Sequence, residues 1–163
     1  MILHAGLITR FSPGGWRGVL VQGASGSGKS DLMLRALDAG WTLAADDRVL
    51  VWTAGGRLWG RAPQTLSGLM EIRGLGVVAT AARAFSAIDL VVACAPARSI
   101  ERFPEPETEI LLGCPVPRIK LAVFEPSAPA KLARALSHLA FNGNRRIKPS
   151  APVLNPPGAG GVP

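Results

Sequence analysis

A chain of 163 residues, 48% hydrophobic and 18% charged, has the size and composition of one folded domain with its own core, which excludes a disordered or fibrous polymer. Its formal net charge of +7, from 18 basic and 11 acidic residues, would suit acidic partners or nucleotides. The basic residues are scattered apart from Arg145-Arg146-Ile147-Lys148, so the aromatic-interleaved basic patch of a nucleic-acid binder is missing.

In chain order, "ILHAGLIT" (2–9) reads as a strand, "SPGGWRG" as a loop and "VLVQG" as a short buried strand entering a glycine-rich loop. "SDLMLRALDAG" has helical spacing through Leu32, Ala36 and Leu37, with Gly40 as its stop. "WTLAADD" is the next strand, expected beside the one feeding the loop, and "RVLVWTAGGRLWGR" a hairpin around Ala54-Gly55-Gly56. "APQTLSGLM" reads as a short helix and "EIRGLGVV" is polar at its front and punctuated by glycines, its plainest alternative being a helix end followed by a glycine turn; "IDLVVACA" (88–95) is a buried strand. Residues 96–109, with Pro96, Pro104 and Pro106, read as a surface loop, and "PRIKLAVFE" as a last strand. A helix then starts from Ser127 as N-cap, carries Leu132, Ala135, Leu136 and Leu139 on one face, and ends at Asn142-Gly143. This gives a domain over 1–141 and a Pro- and Gly-rich tail over 142–163 expected to be disordered.

No apolar run approaches the ~20 residues of a membrane helix, and "MILHAGLITR" lacks the basic start and long apolar stretch of a signal peptide. Cys94 and Cys114 match no metal spacing and read as reduced thiols. Together these features point to a cytoplasmic protein that engages neither membrane nor nucleic acid.

"GASGSGKS", Gly23 to Ser30, has the spacing Gly-x-x-x-x-Gly-Lys-Ser between a strand and a helix. Desolvating a triphosphate is costly unless every oxygen finds a donor. Glycines let backbone N–H groups turn inward as an anion nest, and the helix adds its positive end. Gly23, Ala24, Ser25, Gly26, Ser27 and Gly28 would form the cradle, Lys29 would reach the β- and γ-phosphates, and the Ser30 hydroxyl would hold Mg²⁺. The expected ligands are therefore ATP and Mg²⁺.

Asp46 and Asp47 close the following strand. One carboxylate at such a strand end holds Mg²⁺ through water. The other, on the opposite side because successive strand residues alternate, is free to act as a base. Asp-Asp is also ordinary turn chemistry at the entry to a hairpin, and that alternative stays open on spacing alone.

"GASGSGKSDLMLRALDAGWTLAADDRV", "GRAP" and "LMEIRGLGVV" together resemble the C-terminal catalytic domain of the HPr kinase/phosphorylase family. The similarity spans residues 1–95, more weakly 115–141, and "EIRGLG" is its specific part. It implies an α/β fold of the phosphate-loop kind shared with PEP carboxykinase-like enzymes, a sheet with flanking helices. It also implies phosphoryl transfer from ATP to a serine of HPr or an HPr-like carrier of the sugar phosphotransferase system, and assembly into hexamers. By the same resemblance Asp47 is the proton acceptor in phosphorylation and the donor in reversal, Asp46 its metal-side partner, and Glu71 a Mg²⁺ ligand. Met70 to Ala79 match a segment important in both directions. His4 matches a histidine near the transferred group, with "RFSPGGWRG" making the intervening loop longer.

Two departures follow. The chain resembles a short version without the family's N-terminal domain. Where the family carries a catalytic arginine before Pro-Gly, "VFEPSAPAK" places Glu125, whose charge would repel a phosphoryl group; Arg118 and Lys120 are candidate substitutes. The family's C-terminal residues for dephosphorylation have no match in "HLAFNGNRRIKPS", so kinase activity is expected and reversal is in question. A small-molecule kinase with the same loop and a nucleotide sensor without chemistry are the competing readings.

Overall fold

The computed structural model describes residues 1–12 and 14–138, which carry ten strands and two α-helices. The strands are β1 (Ile2–Ser12), β2 (Gly15–Gln22), β3 (Thr42–Ala45), β4 (Arg48–Ala54), β5 (Arg57–Arg61), β6 (Leu69–Ile72), β7 (Gly76–Ala79), β8 (Ser86–Cys94), β9 (Glu107–Leu111) and β10 (Cys114–Leu121). The helices are α1 (Lys29–Asp38) and α2 (Ala128–His138). No helix among the described residues is long and apolar enough to cross a membrane.

β2 pairs antiparallel with β1 and parallel with β8, and β8 pairs parallel with β10, which pairs antiparallel with β9. β1 also pairs with β4, β4 with β5, and β5 returns to β8. The sequence of pairings β1–β2–β8–β5–β4–β1 therefore closes on itself. Alternation along the strands gives each side its own core. Ile8, Val19, Val21, Leu90 and Val92 face the helices and pack with Leu32, Met33, Ala36, Leu132 and Leu136. Leu7, Leu20 and Val91, their immediate neighbours, turn to the other side and meet Val49, Val51, Leu58 and Ile88. Both α-helices thus cover one face, while the antiparallel β4–β5 pair closes over the other. Gly6 permits the close approach of α1, since a Cβ there would stand 2.1 Å from the Met33 sulfur.

Several expectations need correction. "TLAA" lies beside β1, not beside the strand that feeds the loop: β1 and β2 form a tight hairpin that takes one edge of β2, and β8 takes the other. "SPGGWRG" is no loop, because β1 runs to Ser12 and β2 starts at Gly15. Arg17 of this stretch is buried at 8% exposure, and Trp16 beside it is exposed, so its composition did not mark it as a strand. The last three residues of the supposed surface loop over 96–109 belong to β9, which pairs with β10. "APQTLSGLM" holds only one 3-10 turn, Gln64–Leu66, before β6. "EIRGLGVV" is the turn of the β6–β7 hairpin, not a helix end. The tail, Leu139 and the helix stop at Asn142-Gly143 lie outside the described residues.

Candidate functional site

The glycine-rich loop leaves β2 at Gln22 and enters α1 at Lys29. Its turn is closed by the Ser27 N–H donating to Ala24 O at 3.1 Å, and the helix by the Leu32 N–H donating to Gly28 O at 2.9 Å. Gly28 is the N-cap at φ +93, with no side chain capping the helix, so the first-turn N–H groups have no side-chain acceptor there. A Cβ on Gly28 would meet Phe124 Cζ at 2.7 Å and Val123 Cγ2 at 2.8 Å; only glycine lets the segment after β10 lie against the loop.

Lys29 is 8% exposed, and its Nζ donates to Gly23 O at 2.8 Å and Ala24 O at 3.0 Å. The ammonium is held inside the curl of the loop. Ser27 Oγ is buried beside the Cys94 thiol, both next to Gly23. The first-turn N–H groups without a side-chain acceptor are what an anion of several oxygens satisfies.

Strand register sets what stands beside this loop. Ala5 pairs with Gln22, the last residue of β2 before the loop, and His4 is the next residue of β1 beyond that pair. On the other side of β1, His4 pairs with Arg48, and the Ala5 N–H donates to Asp47 O at 3.2 Å. The result is His4 Nδ1 2.9 Å from Asp47 Oδ1, both side chains about half exposed. Asp47 holds φ +63, a left-handed conformation that Asp and Asn tolerate better than other side chains. The alternation expected of a strand end is therefore realised differently: β3 stops at Ala45, and a turn sends Asp46 inward and Asp47 outward.

Asp46 is 7% exposed, and its Oδ2 accepts the Glu71 N–H at 3.0 Å. Burial pushes its carboxyl above the usual range, and that backbone hydrogen bond pulls partly back. Glu71 thus reaches Asp46 through its backbone, while its own side chain is exposed; Met70, alternating with it, is 1% exposed in the core beneath α1. The β6–β7 hairpin is thereby docked onto the carboxylate pair. Its tip exposes Leu75 at 75% and Val77 at 66%.

Among the described residues no three His, Cys, Asp or Glu side chains gather as a self-sufficient metal cage. Mg²⁺ held by one or two carboxylates together with phosphate oxygens and water requires none. A desolvated carboxylate at Asp46, with its second oxygen outside the Glu71 bond, suits a cation brought in with a nucleotide. Ser30 is the second residue of α1, in its first turn, as such a shared site requires.

Three features here escaped the sequence reading. Arg35, a plain helix residue by spacing, pairs with Asp31 at 2.7 Å and donates to the carbonyls of Val123 and Glu125, tying α1 to the segment that covers Gly28. Cys94 ends β8 next to the loop, and a Cβ on Gly23 would meet its Sγ at 3.2 Å; burial pushes this thiol up. Phe124 is 70% exposed against the loop. Only the Gly-x-x-x-x-Gly-Lys-Ser spacing of the loop itself carried a local signal; these contacts join segments far apart in the chain. Arg118 and Lys120, the candidate arginine substitutes, are engaged with Glu107 at 2.8 Å each. Glu125 pairs with Lys131.

Residues 4–142 match the family model described as HPr Serine kinase C-terminal domain. The chain is 36% identical over 132 residues to the HPr kinase/phosphorylase of Lacticaseibacillus casei strain BL23, covering 74% of this chain and 39% of that protein. It is 38% identical over 118 residues to the HPr kinase/phosphorylase of Bordetella pertussis, covering 65% and 38%. It thus spans about two fifths of the length of these curated relatives. A solved structure titled as the Hpr(Ser) kinase/phosphatase from Coxiella burnetii superposes with a TM-score of 0.74 at 22% identity, over 88% of this chain and 92% of the other, a likeness of fold. By the match over residues 4–142, the chain belongs to the HPr serine kinase C-terminal domain family.

Proposed function

We propose that this chain is an ATP- and Mg²⁺-dependent serine kinase whose acceptor is HPr or an HPr-like phosphocarrier. The observation that supports the reading is the His4 Nδ1–Asp47 Oδ1 pair at 2.9 Å, one residue along β1 from the Ala5–Gln22 pair where β2 gives way to the glycine-rich loop. A base within hydrogen-bond reach of an acceptor hydroxyl must be exposed, and Asp47 is; a carboxylate facing a metal should be partly dried, and Asp46 is.

In this mechanism the loop N–H groups and Lys29 hold the β- and γ-phosphates, with Ser30, Asp46 and Glu71 as the groups that would hold Mg²⁺. When bound, that ion neutralises charge on the phosphate oxygens. The acceptor serine oxygen forms its bond to the γ-phosphorus as the bond to the β–γ bridging oxygen breaks. Asp47 takes the serine proton, His4 orients the Asp47 carboxylate, and ADP leaves. Positioning and charge neutralisation supply most of the rate. The names of the relatives include phosphorylase activity, which for this chain would break the serine O–P bond as an oxygen of inorganic phosphate bonds to phosphorus, releasing pyrophosphate, with Asp47 returning its proton to the serine oxygen. Action in the cytoplasm and assembly as a hexamer belong to the same proposal.

A second reading, a nucleotide-sensing module without transfer, draws on Glu125 standing where the family's arginine is expected, and on Arg118 and Lys120 being occupied elsewhere. A small-molecule kinase would share the loop and the base. Purified protein, Mg²⁺-ATP and the host's own HPr-like proteins, followed by intact mass spectrometry, decide among these. One phosphoryl group on an HPr serine establishes the kinase. ATP bound with no modified protein removes HPr as acceptor, and ATP hydrolysis with added metabolites then separates small-molecule kinase from sensor.

A further inference from the structure

At the end of the sheet away from the glycine-rich loop, the β1–β2 hairpin, the end of α1 and one side of α2 enclose a cleft of about 1040 Å³, at the upper end of the range for small-molecule sites. The ladder places it: Arg10 pairs with Arg17 here, five residues from the Ala5–Gln22 pair at the loop, roughly 17 Å along the strands. Four arginines line it, Arg10, Arg17, Arg35 and Arg134, together with Phe11 and Trp41, and no carboxylate does.

The charges are unevenly compensated. Arg17 faces Asp89 at 3.9 Å, and Arg35 is paired with Asp31 at 2.7 Å. Arg10 lies over the Trp41 ring, 6.0 Å from its centroid, with no ion pair among the described residues. Arg134 is exposed and has no ion pair there either. Trp41 is 4% exposed, and its indole N–H is buried without an acceptor, an unmade bond that a ligand oxygen would complete.

We propose that this cleft binds a phosphorylated small molecule with a flat or apolar body, at a place separate from the glycine-rich loop. Two guanidinium groups without carboxylate partners match a phosphomonoester, which carries about −1.5 to −2 charges at neutral pH, and arginine forks suit phosphate oxygens. Phe11 and Trp41 offer the apolar wall for the body of the ligand.

The test uses the full chain labelled with ¹⁵N and saturated with Mg·ADP, so that the loop is occupied, and phenyl phosphate as the probe. The Trp41 indole resonance, assigned by its loss in Trp41→Phe, is expected to shift to saturation, while those of Trp52 and Trp59 on β4 and β5 stay still; phenol should move none. Arg10→Ala with Arg134→Ala should weaken binding about tenfold or more, and the matching double substitution to Lys should recover most of it. Both arginines are exposed, so neither variant threatens the core. An unmoved Trp41 resonance overturns the proposal, as does equal affinity in the double Ala variant. A response to polyglutamate alone also overturns it, in favour of an acidic protein segment. Failure of Mg·ADP to bind would count against the nucleotide reading of the loop and leave the Trp41 titration interpretable.

Discussion

Replacing Asp47 separates its backbone role from its chemical one. At φ +63 an ordinary L-residue costs roughly 1–2 kcal/mol, whereas Asn resembles Asp in tolerating this region and Gly has no such cost. Loss of a positioned proton acceptor costs about 10²–10⁴ in rate, equivalent to about 2.7–5.4 kcal/mol in the barrier at 1.36 kcal/mol per decade. Asp47→Asn should therefore keep the thermal midpoint and lose the rate. Asp47→Gly should do likewise, while Asp47→Ala should lose the rate and also about 1 kcal/mol or more of stability. None should weaken Mg·ATP binding, since the Asp47 side chain bonds His4 and Arg48 rather than the loop. The assays are denaturant unfolding, calorimetric titration with a non-hydrolysable ATP analogue, and timed intact-mass measurement of phosphorylated acceptor. Transfer by Asp47→Asn at the parent rate refutes the base assignment. Equal stability of the Ala and Asn variants refutes the backbone argument independently.

Gly28→Ala should lower affinity for Mg·ADP about tenfold or more by calorimetry. Its positive φ is strained for alanine, and the new Cβ would press on the buried Val123 at 2.8 Å. Leu32→Ala, at a fully buried position between sheet and helices, should destabilise the domain by about 2.7–5 kcal/mol in urea unfolding. The Glu107 carboxyl lies below its ordinary range, first through the hydrogen bond from Lys120 and then through Arg118. A lowered folded value stabilises above the unfolded carboxylate range and is lost as pH falls through the folded one. Lys120→Met should hence raise the Glu107 titration seen by carboxyl ¹³C NMR, with any stability deficit present at neutral pH and vanishing in acid. Cys94, its thiol pushed up by burial, should alkylate slowly at neutral pH by mass spectrometry, and more slowly with Mg·ADP bound, because its sulfur abuts Gly23.

What the residues determined locally is the loop and its flanks. Gly-x-x-x-x-Gly-Lys-Ser after an apolar run and before Leu32-Met33-Ala36 spacing names a strand, a turn and a helix, because each signal is complete within about ten residues. The β4–β5 hairpin was legible for the same reason, with Gly55-Gly56 between two β-rich halves. Asp46 and Asp47 were legible as adjacent carboxylates, but not that the first would be buried and the second exposed. Strand partners were not. β3 could satisfy its backbone groups against any apolar neighbour, and only the whole sheet, with the β1–β2 hairpin and parallel β8 on either edge of β2, sends it to β1. That placement, and the His4–Arg48 register, decide that His4 and Asp47 meet, that the Asp46 carboxyl is bonded by the β6–β7 hairpin, and that four distant arginines share one cleft. Periodicity travels along a chain, whereas hydrogen-bond register and desolvation arise only between segments that folding brings together.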